Sequence, residues 1–293
     1  MTIETRSSSE YLHITLAGKE VRLTIEKLGS NTKEIWLLLP ALSTVSSRSE
    51  WYPLAESMGQ KAQLISFDWP GFGDSDRPKI KYDASTLSAV LRAVLDNLGS
   101  KGIDQIRLIA AGHSASIALS IANEYSHQWK QLVLVAPTWR GPLPTMTGWS
   151  PRRFNWLRQV VSLPVIGSIL YRLNTSRAVL KVMLRRHVWV KPEMLSAENI
   201  RRQQRLSRKR GARFASVAFV SGGFAPATNS DWWLTQADNL ACPLHVVLAE
   251  EAPPRSKREM QALASKADQI SVIKGRLGLH EEFGAELAAL ISP

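Results

Sequence analysis

The chain of 293 residues is long enough for one large α/β domain, with or without an insertion, and it can bury a substantial core. Hydrophobic residues make up 44% of it and charged residues 21%, which excludes a disordered or fibrous protein. The net charge of +12 is concentrated between Thr138 and Thr235, where 17 lysines and arginines face three acidic residues. The basic character therefore belongs to one segment.

Cysteine content and hydropathy indicate the compartment. Cys242 is the single cysteine, so no intramolecular disulfide can form, which favours a reducing environment. The polar stretch from Met1 to Ser9 has no apolar region of the kind found in secretory signals. The charge-free stretch from Gln159 to Tyr171 is shorter than the roughly 20 residues that span a bilayer. We therefore expect a cytoplasmic protein that does not cross a membrane.

Short apolar runs alternate with amphipathic stretches, which predicts an α/β sheet rather than a sandwich or a bundle. Tyr11 to Leu16 and Val21 to Leu28 predict an opening hairpin. Four continuous apolar runs then predict buried parallel strands, at Ile35 to Leu39, Gln63 to Phe67, Ile106 to Ala110 and Leu132 to Val135. Helices are expected between them, at Glu50 to Met58, Ser85 to Leu98 and Ala115 to Tyr125.

After Pro137 this alternation is interrupted by a long segment rich in Arg and Trp. It resumes with strands at Leu244 to Leu248 and Gln269 to Ile273, and with helices near Ser256 to Lys266 and Glu281 to Leu290. The predicted organisation is a core in two parts, residues 1–137 and 236–293, with a mainly helical insertion at residues 138–235.

The passage from Leu108 to Ser116 predicts a strand, a tight turn and a helix. A serine held on a strained strand-to-helix turn is exposed, and the helix N-terminus beside it favours the negative charge of an oxyanion. Small residues two positions before and after the serine let such a turn close, and Gly112 and Ser116 fill these positions around Ser114. We interpret Ser114 as a nucleophile, with a chance match of the short pattern as the alternative.

The loop after the strand ending at Phe67 carries a second motif. Its sequence, Asp-Trp-Pro-Gly-Phe-Gly-Asp-Ser-Asp-Arg-Pro at residues 68–78, resembles the D-x-P-G-F-G-x-S-x-R-P loop of the α/β-hydrolase superfamily. The resemblance extends over nearly the whole core. It implies a mostly parallel eight-stranded sheet flanked by helices, with the insertion at 138–235 forming a helical cap.

The same resemblance implies roles for particular residues. His280 follows the last strand, where the family places its catalytic base. The oxyanion hole maps to the backbone N–H groups of Ala115 and Leu42, although Pro40-Ala41 stands where most relatives have His-Gly.

The acid of the expected triad is missing from its usual place, because the family's aspartate position falls on Ala252. Glu251, one position earlier, and Glu250, in a shifted loop, are the candidate acids. Asp231, Asp238 or a dyad without an acid are the remaining alternatives. Losing the acid is expected to reduce the rate by about 10⁴ in the serine-protease template.

The implied activity is hydrolysis of a carboxylic ester through an acyl-enzyme on Ser114, with no metal and no cofactor. Residues 39–46 and 252–260 also resemble a group of hydrolases found in cyanobacteria and plastids, which implies a lipid or prenyl ester as substrate. The alternative is a protein that keeps the fold and binds a lipid or a protein partner with little or no turnover. The missing aspartate and the Pro40-Ala41 pair motivate this alternative.

The insertion also contains six of the ten tryptophans. They could pack on the core while the arginines are solvated. Alternatively, tryptophans, basic residues and the apolar stretch from Val160 to Tyr171 could form a surface that holds the protein peripherally on an anionic membrane. Binding of nucleic acid by the basic run from Arg201 to Arg210 is not expected, since no nucleic-acid-binding fold accompanies it.

Overall fold

Residues 8–227 and 229–292 are described by a computed structural model of the chain, and the polar stretch before residue 8 lies outside them. Eight strands form one sheet in the order β1-β2-β4-β3-β5-β6-β7-β8. The pairs β1–β2 and β2–β4 are antiparallel and the other pairs are parallel. The predicted eight-stranded, mostly parallel α/β sheet is confirmed. The strands are β1 Ser8–Leu16, β2 Lys19–Gly29, β3 Ile35–Leu39, β4 Gln63–Phe67, β5 Ile106–Ala111, β6 Trp129–Val135, β7 Leu244–Ala249 and β8 Gln269–Ile273.

The opening hairpin forms as predicted, with Leu16 of β1 opposite Lys19 of β2. Its two-residue turn has positive φ at both positions, +48° at Ala17 and +72° at Gly18. Positive φ at both central residues is the requirement of a type I′ turn, whose twist matches that of the flanking strands.

Helices cover both faces of the sheet. The α-helices are α1 Tyr52–Met58, α2 Ala84–Ser100, α3 Ser114–Ala122, α4 Pro142–Thr147, α5 Asn155–Ser162, α6 Ile166–Asn174, α7 Arg177–His187, α8 Ala197–Ser207, α9 Ala212–Val220, α10 Asp231–Asp238, α11 Pro254–Ala264, α12 Leu279–Glu282 and α13 Gly284–Ile291. The helix predicted from Glu50 begins as a 3₁₀ turn at Arg48–Trp51 and becomes α-helical at Tyr52, since Pro53 fits the first turn of a helix. The helix predicted at the C-terminus is divided into α12 and α13.

Alternate residues of β5 pack into two separate layers of the core. Leu108 and Ala110 join the cluster that includes α2 and α3, whereas Ile109 and Ala111 join the cluster beneath α1 and α13. This alternation is expected of a strand buried on both faces. The carboxyl ends of the parallel strands meet at one edge of the sheet, which is where open α/β sheets bind ligands.

Seven helices, α4 to α10, lie between β6 and β7 in the described part of residues 138–235. This segment, called the insertion below, contacts the core near the carboxyl edge of the sheet. The backbone N–H groups of Val190 and Lys191 donate to the Glu282 carboxylate, and the hydroxyls of Ser216 and Thr44 lie 2.9 Å apart. Across the described residues, none of the helices is both long and apolar enough to cross a membrane.

The loop between β3 and α1 is held by a buried ion-pair network around Arg48. Its Nε donates to Glu26 at 2.8 Å, and its Nη1 contacts both Asp68 and Asp74. The side chain of Arg48 is 14% exposed and that of Asp68 is fully buried. Burial raises the pKa of Asp68, although Arg48 opposes the shift. The network fixes the segment that carries Glu50.

Replacing Arg48 by Met is expected to lower the free energy of unfolding by about 3 kcal/mol, because Asp68 loses its partner in the interior. The matched control is Arg92→Met, which removes an arginine paired with Glu124 at the surface and is expected to cost less than about 1 kcal/mol. Urea unfolding of both variants measures the difference. Equal losses would contradict a structural role for the buried network.

Candidate functional site at the carboxyl edge of the sheet

The turn between β5 and α3 is centred on Gly112. Gly112 has a φ of +53°, whereas His113 has φ −73° and ψ −21°, and the helix begins at Ser114. The backbone of Gly112 is fixed on both sides, since its N–H donates to Val135 and its carbonyl accepts from Thr138, each at 2.9 Å. The position of the turn that is strained for an L-residue is therefore occupied by glycine.

Ser114 lies two residues beyond that position, in the first turn of α3. Its side chain is fully buried, and its hydroxyl donates to the carbonyls of Ala111, at 2.7 Å, and Leu39, at 3.2 Å. A nucleophilic serine in this fold holds its hydroxyl exposed above the sheet and bonded to the base. The Ser114 hydroxyl is instead bonded to the backbone between β3 and β5.

The two backbone groups predicted to form an oxyanion hole already have partners. The N–H of Leu42 donates to the carbonyl of Pro40 at 2.9 Å, and that of Ala115 donates to the carbonyl of Gly112 at 3.3 Å. The neighbouring N–H of Ala41 donates to the Glu50 carboxylate at 2.8 Å. Stabilising an oxyanion requires donors directed at the developing charge.

His280 lies in α12, directly after the loop that follows β8. Its Nε2 lies 3.2 Å from Oε2 of Glu50, with the two side chains only 1% and 7% exposed. The ring packs against Trp51 at a centroid separation of 4.9 Å. Nδ1 of His280 is buried and has no hydrogen-bond partner among the described residues. The structure therefore brings His280 together with Glu50, a residue that the sequence motifs did not single out.

The acids predicted from the sequence do not contact His280. Glu251 pairs with Arg276 at 3.4 Å, and Lys257 reaches the backbone carbonyl, rather than the carboxylate, of Glu250. The side chain of Glu251 is half-exposed, and Glu250 is exposed. Glu250 and Glu251 therefore remain predictions as the acid, whereas the carboxylate that lies beside the imidazole in the structure is that of Glu50.

The other two carboxylates considered, Asp231 and Asp238, lie on α10. Asp231 is exposed near Asn229, and Asp238 pairs with Lys266 at 2.9 Å. Neither carboxylate is hydrogen-bonded to His280, whose contact is with Glu50. Among residues 8–227 and 229–292, no group of three or more His, Cys, Asp or Glu side chains is placed to bind a metal ion.

Two further titratable groups lie close to the site, Glu281 beside the Glu50–His280 pair and His113 in the turn after β5. Burial and the nearby carboxylate of Glu50 raise the pKa of Glu281 well above its usual value, which favours its protonated form. His113 packs against the rings of Phe219 and Phe224, and its burial lowers its pKa to about 4. His113 is therefore neutral at physiological pH.

The insertion closes over His280. The carbonyl of Trp189 accepts from Arg276 at 2.9 Å, and the N–H of Gly278 donates to Val188 at 3.0 Å. A Cβ added to Gly278 would lie 2.5 Å from the Val188 side chain, so only glycine permits this approach. Residues 187–191 of the insertion thus pack against the loop and the short helix that carry His280.

The comparisons with known proteins agree with this arrangement at the level of fold. A model of the alpha/beta hydrolase family matches residues 36–290. The chain belongs to the α/β-hydrolase family. The resemblance stated from the sequence is therefore confirmed at family level.

Solved structures of the same fold cover almost the whole chain. Cfl2 of Burkholderia cenocepacia is 24% identical, with a TM-score of 0.70 over 95% of this chain and 93% of that one. A thermophilic esterase of Thermogutta terrifontis is 18% identical, with a TM-score of 0.70 over 97% and 96%. A hydrolase of Pseudomonas aeruginosa is 14% identical, with a TM-score of 0.69 over 96% of each chain.

A curated relative matches over a short segment. A poly(3-hydroxyalkanoate) depolymerase of Ectopseudomonas oleovorans is 29% identical over 85 residues. That segment spans 29% of this chain and 29% of the depolymerase. The match adds to the family assignment and leaves the substrate of this α/β-hydrolase family member to be proposed.

Sequence reasoning missed Gly112 and Glu50 as determinants of this site. The strand-to-helix turn between β5 and α3, called the elbow below, could also have been centred on Gly112 from the sequence. Ala110 and Ser114 are small residues two positions before and after Gly112. Glu50 completes a Ser-x-x-Glu capping box, in which it accepts from the N–H of Ser47 at 3.0 Å. The capping box was readable from the sequence, whereas the contact with a histidine 230 positions away was not.

Replacing Glu50 by Gln is expected to lower the free energy of unfolding by about 2 kcal/mol, because an amide cannot accept from Ala41, Ser47 and His280 together. The matched controls, Glu250→Gln and Glu251→Gln, are expected to change it by less than about 0.5 kcal/mol. Urea unfolding of the three variants compares them. A larger effect of Glu251→Gln than of Glu50→Gln would contradict the pairing described above.

Proposed function

We propose that this α/β-hydrolase family member is a binding protein for anionic lipid that does not form an acyl-enzyme on Ser114. The observation that carries the proposal is the glycine at the strained position of the elbow, Gly112, which supplies no side-chain nucleophile. Two conditions for acyl transfer are a hydroxyl bonded to its base and free oxyanion donors. The contacts of Ser114 with two backbone carbonyls argue against the first of these.

The Glu50–His280 pair supports the same reading. In the triad template, Nε2 of the histidine faces the nucleophile and Nδ1 donates to the acid. Here Nε2 is bonded to the Glu50 carboxylate, and Nδ1 has no partner in the described part of the chain. An added Cβ at Gly112 would lie 3.1 Å from Cβ of Ala41, so a side chain at this position would be crowded by Ala41.

The lipid assignment rests on the outer surface of the insertion, which is the proposed cap. Large apolar side chains that are more than half exposed cluster on α6, on the residues leading into it and on α7: Val165, Ile166, Ile169, Leu173 and Val182. Basic side chains accompany them along α7, at Arg177, Lys181, Arg185 and Arg186. Apolar side chains beside cations are typical of helices that lie in the interface of an anionic membrane.

A second candidate is hydrolysis of a carboxylic ester, favoured by membership of a hydrolase family and by the esterase of Thermogutta terrifontis among its structural neighbours. In this reaction the Ser114 oxygen would attack the ester carbonyl, and His280 would take the hydroxyl proton and return it to the leaving alcohol. Water would then cleave the acyl-enzyme. The side chains of Ser114 and His280 would both have to exchange their present partners.

Labelling with a fluorophosphonate separates the two candidates. We expect no labelling of the wild-type protein at Ser114, because its hydroxyl lacks a base. Labelling that disappears in Ser114→Ala and His280→Ala would instead establish the esterase. Hydrolysis of p-nitrophenyl esters of increasing acyl length, with the same variants and Glu50→Gln, checks this result with a second readout.

The lipid surface is tested by co-sedimentation with vesicles. Ile169→Glu together with Leu173→Glu is expected to weaken binding to anionic vesicles about tenfold or more, because two apolar contacts become charged. The matched control is Val272→Glu, which changes an equally exposed apolar residue on the edge strand β8. Binding should decrease as salt is added. Equal binding to neutral and anionic vesicles would contradict the proposal.

A further inference from the structure

A cavity of about 550 Å³ lies where the insertion meets the loop that follows β4. It shares no lining residue with the Glu50–His280 pair. Five cationic side chains line it: Arg22 from β2, Arg77 and Lys79 from the loop, and Arg210 and Arg213 from the start of α9. Cavities of this volume are of the size that holds small molecules.

The two carboxylates in the lining are already compensated. Asp74 pairs with Arg48 at 2.9 Å and also with Lys209, neither of which lines the cavity. Asp76 lies 3.8 Å from the guanidinium of Arg22 and accepts from its backbone N–H at 2.9 Å.

The remaining four cations of the lining lack such partners. Within residues 8–227 and 229–292, no carboxylate lies within ion-pair distance of Arg77, Lys79, Arg210 or Arg213. Like charges that converge without counter-charges repel one another, and a bound anion relieves that repulsion.

Three of the arginines also have unused hydrogen-bond donors. The Nε atoms of Arg22, Arg77 and Arg213 are buried and have no partner among the described residues. A buried donor without an acceptor costs free energy, and a guanidinium donor is best satisfied by an oxyanion. Burial also lowers the pKa of Arg77, and the carboxylates of Asp68 and Asp74 offset this effect only in part.

We propose that this cavity binds the phosphate group of an organic phosphate. Guanidinium groups match phosphate oxygens with paired donors, and several of them around one space favour a multiply charged anion over a single carboxylate. The ring of Phe214 lines the same cavity and lies 4.6 Å from the guanidinium of Arg213 and 5.9 Å from Nζ of Lys79. This ring supplies an apolar wall for the organic part of the ligand.

The junction between loop and insertion is rigid enough to form such a site. A Cβ on Gly211, which has a φ of +87°, would lie 2.6 Å from the carbonyl oxygen of Arg77, so the two segments meet through glycine. Arg213 is oriented from the other side, because its Nη1 donates to the hydroxyl of Ser168 on α6 at 2.7 Å. Arg213 is therefore held beside the cavity before a ligand arrives.

Calorimetric titration with inorganic pyrophosphate, without lipid, tests the site directly. We expect saturable binding by the wild-type protein, weakened about tenfold or more in Arg210→Gln and in Arg213→Gln, since each removes charge-assisted donors. The matched control is Arg201→Gln, an exposed insertion cation on α8 that lies outside both the cavity and the proposed lipid surface, and it should bind pyrophosphate like the wild type. No saturable binding by the wild type, or equal weakening in Arg201→Gln, would overturn the proposal.

Thermal unfolding without any anion separates binding from folding. Arg210→Gln should unfold at the same temperature as the wild type or higher, because it removes an exposed, uncompensated cation. A lower unfolding temperature for Arg210→Gln would count against the site, since it would indicate a structural role.

Vesicles that contain phosphatidic acid identify the source of the phosphate. With the ionic strength held constant, pyrophosphate will displace the protein from these vesicles if the ligand is a lipid headgroup, and Arg210→Gln will weaken vesicle binding. If the ligand is soluble, pyrophosphate will bind at the same ionic strength and vesicle binding will be unaffected by either change. Because pyrophosphate is titrated without lipid, failure of the proposed lipid surface leaves this result unchanged.

Discussion

The buried carboxylate of Glu50 is the interaction on which the site depends. It accepts hydrogen bonds from the backbone of Ala41 and Ser47, and it lies 3.2 Å from Nε2 of His280. One charge thereby joins the loop after β3, the 3₁₀ turn before α1 and the short helix after β8. Arg48, two residues earlier, anchors the same turn to the loop after β4, so the position of Glu50 is determined from both sides. A buried carboxylate is tolerated only with such a set of donors.

The contacts of Glu50 and of the neighbouring backbone limit what Ser114 and His280 can do in their present positions. The carboxyl ends of β3, β5 and β8 lie at one edge of the sheet, where Gly112 occupies the strained position of the turn after β5 and the imidazole of His280 is bonded to Glu50. Ser114 lies in the sequence motif, but its hydroxyl is hydrogen-bonded to the backbone carbonyls of Leu39 and Ala111. Fold and family membership are therefore compatible with a turn whose strained position is a glycine crowded by Ala41. Function has to be argued from such contacts rather than from the fold.

The sequence predicted most of the architecture because each buried strand is a continuous apolar run, and the runs at β3, β4 and β8 match the observed bounds. The centre of the elbow was harder to predict, since small residues flank both Gly112 and Ser114 at a distance of two positions. Only the backbone dihedral angle φ at Gly112 distinguishes the two possible centres. The carboxylate beside His280 could not be predicted from the sequence, because a contact across 230 positions arises from the packing of α12 against the 3₁₀ turn. Local patterns encode secondary structure and capping, whereas the partner of a buried imidazole is set by tertiary packing.

The positive charge of the chain gives a second example, because the sequence locates the basic residues and tertiary packing decides their surroundings. The sequence places 17 of the 37 lysines and arginines in residues 138–235 but does not distinguish their surroundings. Along α7 the cations lie on an exposed helix beside apolar side chains, where solvent screens them. At the start of α9, Arg213 instead meets Arg22 and Arg77 of the core around a cavity, with buried Nε donors left without acceptors. Solvent does not reach the buried Nε donors of the second group, and these donors give the cavity a preference for a hydrogen-bonded anion that the exposed cations on α7 lack.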